Sequence, residues 1–359
     1  MHDVQTTKIG PHKVTWPIVW LGQSVRTTLI TAYHQALINA PIMASLGDAV
    51  HRPRLIPKVF ENGLRSRLKT KGPILLDSGG YTLWRMDDSS LKIERLAKIY
   101  EATEADLTIA LDLPPSHQDD EEIRLAKYAT TLTNLEFLTN SLDPKRLVPV
   151  VHGNTMAEVE SNARAVSALI PRPLAICLGG LVPLFRRSGK AGASLNSPIR
   201  FLAKAVSTVR SVFPNALLHL LGAGSPRTVV LAFAVGADST DSIGWRRAAG
   251  FGTIFLPGKG ERFVAPAKRQ RAGSRPLLSE SDLTILSKCR CPVCGQANDL
   301  QSRVAQLAAC YRARSAHNAW ILLQEARGFA EAEARNRVSE YIAGRLPDGW
   351  LLAIEGFAR

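Results

Sequence analysis

Three cysteines and a handful of aspartates are the residues of this chain whose types and spacing could do chemistry. Cys289-Arg-Cys291-Pro-Val-Cys294 brings three thiols within reach of one ion. Closely spaced thiolates suit tetrahedral Zn2+, which wants a fourth nitrogen or sulfur ligand. Two candidates lie downstream, Cys310 and His317. Cys310 sits amid Leu307, Ala308, Ala309 and Tyr311 on a helix face, which favours His317. Four protein ligands make a closed structural site, with one Zn2+ per chain, that contributes folding energy rather than catalysis. Cys177, inside an apolar run, reads as a small buried hydrophobe. Asp77, Asp112, Asp238 and Asp241 form the second group. Paired carboxylates serve glycosidic chemistry: one attacks the anomeric carbon, and the other protonates the leaving group and later acts as a base. Gly79-Gly80 after Asp77 lets a substrate approach the backbone closely. A single aspartate of this kind is more simply a helix cap or turn residue, so it is their shared placement that carries the reading.

That placement depends on the elements around them. From about residue 72, short apolar runs alternate with longer amphipathic ones. Strands are expected at 74–76, 107–111, 147–151, 174–178, 217–221 and 253–256, with 17–21 a further candidate in a harder N-terminal region. Helices are expected at 91–105, 121–138, 156–170, 199–213 and 226–235, several opened by a cap such as Ser90, Thr155 or Ser197. The polar and glycine residues fall just after the strands: Asp77-Ser78-Gly79-Gly80-Tyr81, Asp112, His152-Gly153, Gly179-Gly180 and Gly222-Ala223-Gly224. The segment 236–241 follows the last long helix. In a (β/α)8 barrel such ends converge on one catalytic face, whereas a doubly wound sheet puts ligands at a single switch point. Six decorated ends favour an α/β TIM barrel. Past residue 257 come a basic loop at 258–275, the cysteines and helical stretches at 301–314 and 319–346. The expected division is a catalytic barrel at 1–280 and a zinc-binding, helical C-terminal subdomain at 281–359.

The bulk numbers narrow the partners. Apolar residues make up 45% of the 359 and charged ones 21%, which suits a water-soluble fold. The net charge of +14 points instead to a polyanion, since Lys and Arg that neutralise phosphates release condensed counterions. No apolar stretch is long enough to span a bilayer and the N-terminus has no signal-type run, so the chain reads as cytoplasmic, with no membrane partner.

The collinear pieces Asp77-Ser-Gly-Gly-Tyr81, Ala110-Leu-Asp112, Gly179-Gly-Leu181, Leu221-Gly-Ala-Gly224, Gly236-Ala-Asp238-Ser-Thr-Asp241-Ser242 and the cysteine motif with His317 resemble the tRNA-guanine transglycosylase superfamily over roughly residues 72–320. The resemblance implies a barrel with a zinc subdomain. It makes Asp241 the nucleophile and Asp77 the general acid/base, with Cys289, Cys291, Cys294 and His317 the zinc ligands. It makes Asp112 the reader of the base edge, Gly180 and Leu181 its backbone contacts, and Tyr81 the ring stacked on it. Ser78, Gly79, His152, Gly179 and Asp238 complete the expected substrate pocket. Arg186, Arg187, Arg246, Arg247, Lys259 and Arg262 are candidates for phosphate contacts.

Departures from the pattern select a branch. Thr82 stands where members acting on tRNA carry Gln, and His152 replaces the base-reading Gln of the bacterial enzymes. Ser242-Ile-Gly-Trp245-Arg246-Arg247 replaces the Pro-Thr-Arg element of the bacterial tRNA enzymes, whose usual N-terminal start and extra RNA-binding domain are not seen. The chain is thus most similar to the DNA 7-deazaguanine transglycosylase branch, which inserts 7-cyano-7-deazaguanine (preQ0) into DNA. The alternatives are the same exchange on tRNA, and a silent zinc-stabilised subunit that only binds nucleic acid. Accessory proteins that open the duplex, and a homodimer, stay open as partners.

Overall fold

The structure is a computed structural model and describes residues 4–25, 32–47, 63–80, 82, 92–103, 105–116, 118–180, 196–265 and 275–357. The chain begins with an antiparallel hairpin of β1 (Thr6–Ile9) and β2 (His12–Thr15). Parallel strands follow: β3 (Ile18–Ser24), β4 (Ile42–Ser45), β5 (Ile74–Asp77), β6 (Leu107–Ile109), β7 (Leu147–Val148), β8 (Val150–Val151), β9 (Ala175–Leu178), β10 (Leu217–Leu220) and β11 (Ser239–Ser242). Their order in the sheet is β7-β6-β5-β4-β3-β11-β10-β9-β8. β7 and β8 are two halves of one strand interrupted at Pro149, which has no N–H for the ladder. Thr108 pairs with Leu147 on one side of the break and Val150 with Cys177 on the other. The nine segments are therefore an eight-stranded, nearly closed barrel.

Alternation along the strands divides the core in two. Trp20, Leu75, Ile109, Val150, Cys177 and Leu217 pack together inside the barrel, joined by Ile9 and Val14 of the hairpin, which plugs the N-terminal end. The intervening Leu21, Leu76, Val151, Ile176, Leu178 and Leu220 face the helices. The barrel interior is thus a packed core with chemistry confined to its rim.

The helices are set by their caps. Asp120 accepts the Ile123 amide to start Glu121–Ser141, and capping boxes Thr155/Glu158 and Ser225/Thr228 start Met156–Leu169 and Pro226–Ala234. Gly244–Phe251 follows β11 directly. The long helix Tyr311–Ala334 packs on Pro226–Ala234, on Gly244–Phe251 and on β3, and so covers the barrel where its first strand, β3, pairs with its last, β11.

Two barrel strands, β4 and β11, were not legible as such in the sequence, nor were β1, β2 and Gly260–Phe263 outside the barrel, and one expected barrel strand is something else. Thr253–Leu256 is β12, paired antiparallel with β13 (Gly260–Phe263) outside the barrel. The hairpin's Ile254 and Leu256 form a third core with Leu286, Val293, Leu307 and Ala316, so this core draws on residues on both sides of position 280. The two expected C-terminal helices become Leu300–Ala309, Tyr311–Ala334 and Val338–Ala343. The first break falls at Cys310, which is extended (φ −114°, ψ 115°), and the second near Asn336, left-handed at φ 54°. Among the described residues no helix is long and apolar enough to cross a membrane.

Candidate active site and metal centre

Asp77 is the last residue of β5, and the register puts Ser45 of β4 beside it. Burial raises its carboxyl from the ordinary 3.8 to about 6. A hydrogen bond from Ser45 opposes that rise, while the charges of Asp112 and, more weakly, Asp241 add to it. These three carboxylates therefore feel one another at the barrel rim. Ser78 is buried and its hydroxyl accepts the Gly80 amide at 3.2 Å. Gly79 has φ +82°, and a Cβ there would lie 2.3 Å from the Gly47 amide nitrogen, so only glycine closes this turn.

Asp112 and His152 lie beyond β6 and β8, both buried, with Asp112 Oδ2 2.9 Å from His152 Nε2. The other ring nitrogen, Nδ1, has no protein partner among the described residues and faces the Gly179–Gly180 turn after β9. A Cβ at Gly179 would sit 2.5 Å from His152 Cε1; the glycine makes room for the ring. Asp241 is the third residue of β11 and is 6% exposed. Its Oδ1 accepts the Gly222 amide at 2.7 Å and lies 3.4 Å from Nε2 of His219 on β10. His219 is itself buried and contacts Ser239 Oγ through Nδ1 at 2.8 Å.

Asp77, Ser78, Gly79, Asp112, His152, Gly179, Gly180 and Asp241 thus come together as expected; Asp238 does not. It precedes β11, is 1% exposed, accepts the Leu218 amide at 2.8 Å and is ion-paired with Arg210. It lies three steps of extended chain before Asp241, about 10 Å at roughly 3.3 Å per residue, which puts it at the opposite end of the barrel. Its role is to fasten β11 to β10 and to the helix carrying Arg210. Tyr81, Leu181, Arg186 and Arg187 lie outside the described residues. Sequence reasoning missed Ser45, His219 and Ser239. Only His219 carried a signal, a lone polar residue in the apolar run Leu217-Leu-His-Leu220.

A cleft of about 490 Å³ runs from Asp241 past Gly222 and Ser242 to Arg247, Glu261 and Arg275. Arg247 is exposed there. Arg246 lies over the Trp245 ring at 5.5 Å, and Lys259 is half-buried at the β12–β13 turn. Arg262 is not a free contact: it pairs with buried Asp282 at 2.7 Å and donates to the carbonyls of Lys259 and Glu261. Its charge is spent on holding the hairpin to the helix Glu280–Ser287.

Cys289, Cys291, Cys294 and His317 present four ligand atoms within 4.8 Å of one another. His317 Nδ1 is 3.7, 3.4 and 3.7 Å from the three sulfurs, while Nε2 lies 2.8 Å from the Phe255 carbonyl of β12. Tetrahedral Zn2+, with bonds of about 2.3 Å to sulfur and 2.0–2.1 Å to nitrogen, separates N from S by roughly 3.6 Å. The donor set fits, and the bond to Phe255 fixes the tautomer that leaves Nδ1 for the metal. Cys310, the rival ligand, caps the next helix and stands outside the cluster.

Residues 30–348 match the family model described as queuine tRNA-ribosyltransferase. A tRNA-guanine(15) transglycosylase of Archaeoglobus fulgidus is 25% identical over 299 residues, covering 80% of this chain and 55% of that protein. The Methanosarcina mazei protein of the same name is 27% identical over 302 residues, 82% of this chain and 56% of its own. One from Pyrococcus abyssi is 23% identical over 272 residues, 75% and 41% respectively. The chain spans about half the length of these curated relatives.

Proposed function

The chain belongs to the queuine tRNA-ribosyltransferase family, and from that premise we propose that it exchanges a guanine in nucleic acid for a 7-deazaguanine. The observation that carries the proposal is the unequal pair at the rim. Asp77 is raised to about 6 and so holds a proton part of the time near neutrality. Asp241 is clamped through one oxygen by the Gly222 amide, with its other oxygen free of protein hydrogen bonds among the described residues. Two carboxyls in different environments suit two roles.

In this mechanism the target nucleotide leaves its stack to reach the rim. Asp112 and His152 hydrogen-bond the base edge. Asp241 attacks C1′, the glycosidic bond breaks, and Asp77 gives its proton to the departing guanine. The incoming 7-deazaguanine then attacks C1′, Asp77 takes its proton, and Asp241 returns to a carboxylate. Two displacements retain configuration, and the covalent intermediate conserves the bond energy, so no nucleotide cofactor is consumed. Zn2+ held by Cys289, Cys291, Cys294 and His317 supplies structure alone.

The polymer we favour is tRNA, because the relatives carry tRNA-guanine(15) transglycosylase names. DNA, with preQ0 as the incoming base, is the second reading. It is favoured by the element after Asp241, which turns at Gly244 into a helix that buries Trp245, its indole bonded to the Gly22 carbonyl at 3.0 Å. Purified protein should release labelled guanine from one polymer in the presence of a 7-deazaguanine, and Asp241→Asn should abolish the release. Nucleoside mass spectrometry of tRNA and DNA from producing cells decides between the polymers. Release from neither, with Asp241→Asn indistinguishable from the parent, overturns the proposal in favour of a silent nucleic-acid-binding subunit.

A further inference from the structure

The buried imidazole next to the nucleophile has no place in the mechanism above. His219 points from β10 into the barrel, 2% exposed, between Ser239 and Asp241, which are neighbours on the same face of β11. Ser239 Oγ lies 2.8 Å from Nδ1 and Asp241 Oδ1 lies 3.4 Å from Nε2. A neutral imidazole has one N–H, so the two contacts fix each other. Were Nδ1 the donor to Ser239, the Nε2 lone pair would face a carboxylate oxygen in a buried site, a repulsion with nothing to offset it among the described residues. With the serine hydroxyl donating to Nδ1, the Nε2–H faces Asp241 instead.

We propose that His219 is a positioning residue for the base exchange: oriented by Ser239, it donates Nε2–H toward Oδ1 of Asp241. Together with the Gly222 amide, bonded to the same oxygen at 2.7 Å, it pins one side of the carboxylate and turns the other oxygen toward the sugar. At 3.4 Å the imidazole does not yet make a hydrogen bond, and Nε2 is buried with no hydrogen-bond partner among the described residues; in this proposal the contact closes to a hydrogen bond as Asp241 is drawn into the attack and its geometry becomes exacting. The inference rests on the transglycosylase reading for its kinetic consequence but not for its geometry.

The test has one arm for each. In protein carrying ¹⁵N-labelled histidine, the His219 signals are those lost in His219→Gln. A proton on Nε2 is expected, with both nitrogen shifts moving in Ser239→Ala and in Asp241→Asn. A bare Nε2 overturns the proposal whether or not the protein turns over any substrate. In the kinetic arm, His219→Leu and Ser239→Ala should lower kcat, the former by about 10- to 100-fold, with KM for nucleic acid and for base unchanged. His219→Gln, whose amide can offer an N–H from a similar position, should recover most of the loss. Unchanged thermal melting and zinc content identify the variants that fold. A fall confined to KM, or a Leu variant as fast as the parent, overturns the role. If the parent releases no guanine, the functional reading falls and the NMR arm alone decides the geometry.

Discussion

The barrel rim gathers Asp77, Asp112, His152 and Asp241 from distant parts of the chain and the metal lobe gathers its four ligands from within 289–317, and the two use them in opposite ways. In the lobe every valence is assigned: three sulfurs and His317 Nδ1 converge on one point, and His317 Nε2 is tied to Phe255. At the rim valences are left over. Asp77 is held near 6 by burial, His152 Nδ1 lacks a protein partner, and Asp241 is engaged through one oxygen. Closure marks a group that holds a fold together, and incompleteness marks one waiting for a substrate.

Removing the lobe's keystone should give the largest effect. Cys291→Ser or chelation of zinc should cost several kcal/mol, with the core around β12 losing its order. Thermal melting alongside metal content measures it, and a lobe equally stable without zinc would end the contrast. Asp241→Asn should do the reverse, cutting exchange by about 10⁴-fold or more with melting nearly unchanged, as single-turnover kinetics and calorimetry would show.

Asp77 sharpens the comparison further. A carboxyl whose folded value is raised from 3.8 to about 6 binds its proton more tightly folded than unfolded. It therefore contributes stability below about pH 4 that is lost as pH climbs through 6. Asp77→Asn should thus stabilise the protein more at pH 7.5 than at pH 4, by up to roughly 3 kcal/mol, while losing exchange. Denaturant melts at the two pH values check the sign. The parent's rate for guanine release should also decline above pH 6 as the acid is lost. The smallest effects belong to the arginines. Arg247→Ala should weaken nucleic-acid binding and lower its salt slope by about one, whereas Arg262→Ala should loosen the lobe, leaving Asp282 without its partner, with the slope unchanged.

Most of the rim was legible because its residues follow apolar runs: Asp77 after Ile74-Leu-Leu, and Gly179 after Ala175-Ile-Cys-Leu. Three ligands of the metal site were legible from cysteine spacing, while the fourth rested on setting Cys310 against His317. Strand β11 was not, since Ser239-Thr-Asp-Ser has no apolar run; it carries its chemistry inside the strand, where hydrophobic periodicity cannot see it. The same blindness put Asp238 beside Asp241, although a strand sets them at opposite ends of the barrel. Thr253–Leu256 misled in the other direction, because a short run such as Ile254-Phe-Leu256 does not declare whether its partner is parallel or antiparallel. Charge alone also did not separate Arg247, which is exposed, from Arg262, which has an ion partner 20 residues further along the chain.

The break at Pro149 has a consequence for the base pocket. The ladder is not continuous there: one half-strand pairs with the neighbour leading to Asp112, and the other with the neighbour leading to Gly179. His152 rides on the second half, yet its bond is to Asp112 on the first. That bond, with Asn154 Nδ2 donating to the Ser116 carbonyl at 3.4 Å and the Arg124–Glu158 pair at 3.1 Å, stitches the two edges together, so a slip between them would change the spacing of Asp112, His152 and Gly179.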